Sequence, residues 1–161
     1  MAKILFPLTD APRLALSGIK TFHGMEGTGL NATLYFDSRR VADVIDSGNG
    51  GEVLIRFATR ATESAVADYV ESLRLVGTTV PHPQPGRTPF TYPCDLETLI
   101  NRTVDAYNER KILVRHSKTK VLFRLPTDTD GIWRTIRHNG QIAKAQAWVQ
   151  EKYPEAIFFS A

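Results

Sequence analysis

From residue 30 the chain alternates apolar and polar positions: Leu30, Ala32, Leu34 and Phe36 share one parity, and Asn31, Thr33, Tyr35 and Asp37 the other. Side chains of a strand point to opposite faces in turn, so this period of two predicts a half-buried strand. Asp37-Ser38-Arg39-Arg40 reads as a turn and residues 41–46 as a returning strand. Ser47-Gly48-Asn49-Gly50-Gly51 supplies a second turn, rich in residues that tolerate positive φ. Val53, Ile55 and Phe57 then alternate with Glu52, Leu54 and Arg56. These segments predict a three-stranded antiparallel meander, preceded by a short apolar segment.

The period then lengthens. Val66, Tyr69, Val70 and Leu73 fall at helical spacing behind Thr59 or Thr62, either of which can cap a helix that packs on the sheet. Pro81, Pro83, Pro85, Pro89 and Pro93 follow within a polar stretch and predict a stiff connection between two halves. A second helix is expected from Asp95, with Leu96, Leu99, Ile100, Val104 and Tyr107 on one face, fraying near Lys111. Residues 120–125 alternate again and read as a strand stopped by Pro126. A third helix, capped by Asn139, carries Ile142, Ala145, Trp148 and Val149; Pro154 ends it before a short apolar strand at 157–159. The fold class expected is α+β, an antiparallel β-meander packed by helices with a C-terminal αβαβ half. The segments are 1–76, a proline-rich connection at 77–93, and a basic half at 94–161, which can equally form one continuous domain.

Composition bounds this picture. Of 161 residues, 42% are hydrophobic and 23% charged, enough to build an apolar core without staples. Cys94 is the single cysteine, so neither an intramolecular disulfide nor a cysteine-based metal site can form, which favours a reducing compartment. Pro7, Asp10 and Pro12 interrupt the first apolar run before a signal-peptide core can form, and no run approaches the ~18 apolar residues of a membrane span. A soluble protein that neither crosses nor enters a membrane is expected.

Charge changes the picture more. Net charge is +3, but residues 1–80 carry eight Lys/Arg against nine Asp/Glu, and residues 81–161 twelve against eight. Between 110 and 124 stand Arg110, Lys111, Arg115, Lys118, Lys120 and Arg124 with His116, and no acid at all. Arg134 and Arg137 follow in the next connection, so this region is the candidate binding site for an anionic partner, whether a phosphate backbone or an acidic protein surface. Trp133 can stack on a base there; the competing reading is a solvated basic face with Trp133 and Trp148 in the core.

Other constellations are weaker. His23, Glu26, Asp46 and Asn49 form a secondary candidate site, since a histidine among carboxylates is raw material for acid–base or metal chemistry. Asp43 and Asp46 have opposite parity on one strand, however, and Asp37 occupies a turn, where its side chain bonds the nearby backbone. Gly24, Gly27 and Gly29 precede a strand rather than following one, unlike a dinucleotide fingerprint, and suit a curved or bulged strand start. No phosphate-loop or nucleophile-elbow motif occurs. Cys94 near a helix N-terminus reads as an inert thiol. No catalytic residue, metal ligand or cofactor is assigned.

The run HGMEGTGLNATLYFDSRRVADVIDSGNGGE, followed later by VLFRLP, a tryptophan and KYP, resembles small accessory proteins of tailed bacteriophages. The resemblance implies expression in the host cytoplasm and a role as an anti-defence protein, of anti-CRISPR or anti-restriction type, that binds and blocks a host defence complex. Many such inhibitors mimic nucleic acid with acidic surfaces, whereas this chain is basic. That points to an acidic patch on a defence protein as partner, or to nucleic acid itself.

Overall fold

The computed structural model describes residues 4–160. The first three residues of the expected 1–76 segment, and the last of the expected 94–161 half, lie outside the described residues. The fold is α+β. The chain divides into two compact units, Met1–Asp105 and Ala106–Ala161.

The first unit is built on an antiparallel sheet in the order β1-β2-β3-β4-β5, formed by β1 (Phe6–Leu8), β2 (Ala11–His23), β3 (Thr28–Phe36), β4 (Arg39–Asp46) and β5 (Leu54–Phe57). The expected three strands are β3 to β5, and β1 and β2 extend the meander to five. β2 escapes a period-two reading because Leu14, Ala15, Leu16 and Ser17 are buried in succession, and the register with β3 then shifts between Ser17 and Lys20. Gly18 sits in that bulge at φ 63°, a left-handed conformation that glycine adopts without strain. Leu14, Leu16, Leu34 and Val44 have no solvent exposure and form the centre of the sheet's packed face.

The β3–β4 turn uses only Asp37 and Ser38, both left-handed at φ 48° and 65°, as a tight hairpin turn demands. Arg13 of β2 grips this turn with two hydrogen bonds, Nε to Asp37 Oδ1 at 2.9 Å and Nη2 to Oδ2 at 2.6 Å. The guanidinium holds the Asp37 carboxyl below its ordinary range. Its flat face also lies 4.5 Å from the Phe36 ring centroid and 5.0 Å from that of Tyr69. Tyr69 belongs to α1 (Arg60–Ser72), so one arginine ties turn, strand and helix together. Thr59 caps α1 as expected, in a reciprocal capping box with Thr62.

The proline-rich segment carries a two-stranded hairpin of β6 (Val76–Val80) and β7 (Phe90–Pro93). Its prolines at 81, 83, 85 and 89 lie between the strands, where no ladder donor is needed. α2 (Leu96–Ser117) follows, its first turn capped by Asp95, whose Oδ1 accepts from Thr98 N–H at 2.7 Å. Leu99, Ile100, Thr103 and Val104 are buried within the first unit, and Thr103 Oγ1 accepts from Thr9 N–H at 3.2 Å. The helix does not fray at Lys111. Half-buried Leu113 and Val114 prolong its apolar stripe to Ser117, and Arg115 and His116 in the last turn complement the partial negative charge of its C-terminus.

In the second unit β8 (Lys120–Arg124) is the middle strand of an antiparallel sheet in the order β10-β8-β9, flanked by β9 (Arg134–Arg137) and β10 (Ile157–Phe158). Val121, Leu122 and Phe123 are all buried, as befits a strand covered on both faces. Phe123 stacks on Tyr153 at 5.8 Å and meets Phe158 at 6.5 Å. α3 (Ile142–Lys152) buries Val149. Asn139 is not its cap: Asn139 and Gly140 are both left-handed, at φ 45° and 82°, and spend these residues on a turn, so the helix begins later with Gln141 at its N-cap and no side-chain capping bond.

Candidate binding face of residues 106–161

The structure spreads the sequence-selected cations over three elements. Arg110, Lys111, Arg115 and His116 lie on the second half of α2, Lys118 in the turn after it, Lys120 at the start of β8, and Arg134 and Arg137 at the two ends of β9. The β8–β9 ladder sorts them. Lys120 pairs directly with Arg137, so both side chains leave the same face of the sheet at neighbouring positions. Lys118, Lys120 and Arg137, with Thr119, His138, Asn139 and Gly140, line one open cleft of about 490 Å³.

Among the described residues none of these three cations has a carboxylate in ion-pair range. Like charges directly opposed across a ladder work against pairing. An anion in the cleft would reverse that sign.

Arg134 is committed elsewhere. Its guanidinium donates to both oxygens of Asp128, with Nη2 to Oδ1 at 2.6 Å and Nε to Oδ2 at 2.8 Å, and Asp128 also accepts from Leu125 N–H at 2.8 Å. These bonds, the arginine's first, hold the Asp128 carboxyl well down, at about 2. Arg124 reaches Asp130 at 3.3 Å. The loop acids thus neutralise the cations at the far end of β9 and leave those at the Lys120 end unpaired.

A second groove, of about 350 Å³, adjoins the first along Arg137, His138 and Asn139, and is completed by Ile136, Gln141, Lys144, Ala145 and Trp148. The two tryptophans exchange the roles expected of them. Trp133 is half-buried, edge-on to Phe159 at 5.5 Å with Arg124 over its ring, whereas Trp148 is 47% exposed and walls the groove. Trp148 and Lys144 carried no sequence signal of a site because helical spacing places Trp148 beside Val149 and Ala145, an ordinary packing stripe. His138 is 8% exposed and lines both grooves. Its Nδ1 accepts from Gly140 N–H at 3.0 Å, so the neutral ring carries its proton on Nε2, which has no acceptor among the described residues.

The secondary candidate lies in the first unit, where the loop after β2 meets the loop after β4. Glu26 N–H donates to Gly48 O at 2.9 Å, Met25 N–H to Asn49 Oδ1 at 3.4 Å, and Gly48 N–H to Asp46 Oδ1 at 2.7 Å. Gly24 and Gly48 touch so closely that a Cβ on Gly24 would fall on the Gly48 carbonyl. Asp46 and Asn49 are therefore engaged with backbone, while His23 stands exposed opposite Thr28 at the end of the β2–β3 ladder. Among the described residues no three His, Cys, Asp or Glu side chains gather as metal ligands would. Cys94 is buried, with the Arg102 guanidinium 3.9 Å from its sulfur. Among the described residues no helix is long and apolar enough to cross a membrane. No protein-family model, curated protein or solved structure significantly matches the chain.

Proposed function

We propose that this chain is a phage-type binding protein that inhibits a host defence complex, of the CRISPR or restriction kind, through protein–protein contacts in the host cytoplasm. The observation that carries the reading is the cluster of Lys118, Lys120 and Arg137 in one cleft without carboxylate partners among the described residues. Complementary charge steers association and suppresses wrong partners, so such a cluster suits an acidic patch on the target. The resemblance of the 23–52 and 121–154 segments to phage accessory proteins supplies the class of target.

The test is protection of a phage in cells carrying an active CRISPR or restriction system. Expression of the wild-type chain is expected to restore plaque formation, and the triple variant K118E/K120E/R137E to fail while remaining folded. Wild-type chain that protects against no such system would overturn the reading. A second reading, a nucleic-acid-binding module, is favoured by the same unpaired cations, because phosphates are their most abundant intracellular counterpart. A mobility shift that weakens steeply with salt supports it, no shift at low salt removes it, and a shift retained by the triple variant removes Lys118, Lys120 and Arg137 as its site.

A further inference from the structure

We propose that the groove between β9 and α3 is a site for single-stranded nucleic acid, with a base stacked on Trp148 and the adjoining phosphates on Arg137, Lys120 and Lys118. This inference rests on the nucleic-acid reading above and narrows it to unpaired strands. Trp148 and Arg137 wall one groove, and Arg137, Lys120 and Lys118 the next, the two meeting along Arg137–Asn139. Ile136 and Arg137 leave opposite faces of the edge strand β9, so a bound strand would cross that edge at Arg137–Asn139 on its way from the aromatic to the cations. Both grooves fall within the ~300–1,000 Å³ typical of ligand sites.

The Trp148 ring is half-exposed, and the Lys152 ammonium sits 5.1 Å from its centroid. A cation over the ring and a free area facing the groove form a stacking platform beside positive charge, which is how sequence-tolerant single-strand binders are built. Lys144, one turn before Trp148 on α3, adds a cation on the groove's helical side. Duplex DNA hides its base faces within the stack, so it can offer phosphates to Arg137 and Lys120 but nothing to Trp148. Of the two tryptophans, only Trp148 has this freedom, since Trp133 is packed against Phe159 and Arg124.

The experiment is fluorescence anisotropy of a labelled single strand of about twelve nucleotides and of the matching duplex. The full chain is titrated as wild type, Trp148→Ala, Trp148→Phe and Arg137→Glu, and quenching of Trp148 is followed in a Trp133→Phe background. Wild type is expected to prefer the single strand, and W148A to lose about tenfold on it, the usual effect of one stacked base. W148F should retain most of the affinity, and duplex binding should be indifferent to both. R137E should weaken both forms, and log K should fall with log salt at a slope near −2 for three neutralised phosphates on a single strand. Equal binding of both forms with no loss in W148A would overturn the stacking site and leave the nucleic-acid reading intact. No binding of either form at low salt would overturn both.

Discussion

Asp128 does two things at once: it closes the loop after β8 through Leu125 N–H, and it occupies Arg134. Because its carboxyl is held at about 2 in the fold, below the ~3.9 of an unfolded chain, it stabilises the fold at every pH above the unfolded value. That contribution fades as pH falls from about 5 toward 2. Acid titration of the unfolding midpoint should therefore show a drop over this window that Asp128→Asn flattens; equal slopes for both proteins would contradict it. Gly24 gives a second case, since its missing side chain is what lets it lie on Gly48. Gly24→Ala is expected to cost ~1–3 kcal/mol by forcing the two loops apart, measured by urea denaturation. Neither relation could be read from sequence. The glycines were legible as turn and strand-start residues, but their mutual contact joins positions twenty-four apart. The pairing of Arg134 with Asp128 likewise depends on a turn geometry that spacing alone does not fix.

Elements were legible where one physical signal governed them. β3 and β5 follow a period of two in the sequence, β4 is bracketed by two turns, and α1 begins at a threonine whose hydroxyl accepts from Thr62 N–H at 3.1 Å. Thr59→Ala should therefore lower stability by ~1 kcal/mol, with the loss visible as reduced protection of the first-turn amides of α1 in hydrogen exchange. Elements were illegible where two signals overlapped. β2 buries four successive residues ahead of a bulge, which erases alternation, and α2 continues past Lys111 because half-buried Leu113 and Val114 suffice once the helix is already nucleated. α3 shows the reverse case. Asn139 has the chemistry of a cap, yet Asn-Gly is also the preferred pair for a left-handed turn, and here the turn wins.

Across the whole molecule charge follows the division into units. Residues 1–105 hold ten Lys/Arg and twelve Asp/Glu, while residues 106–161 hold ten against five, so the entire positive excess resides in the smaller unit. The basic bias of the C-terminal half is legible in the sequence. Which cations stand free and which the loop acids neutralise is not, because that depends on the β8–β9 register. Reversal of Lys120 and Arg137 should weaken binding of an anionic partner at least tenfold at low salt, whereas reversal of Arg110 and Lys111 on α2 should have a smaller effect; isothermal titration of the two double variants gives the comparison.

The facing of Lys120 and Arg137 across the ladder has a practical use. A hairpin held together against its own charge gains stability from whatever relieves it, so any true occupant of the cleft raises the melting temperature with the logarithm of its concentration relative to its dissociation constant. A thermal-shift panel of polyanions, acidic peptides and oligonucleotides would then rank candidate partners before any one of them is known.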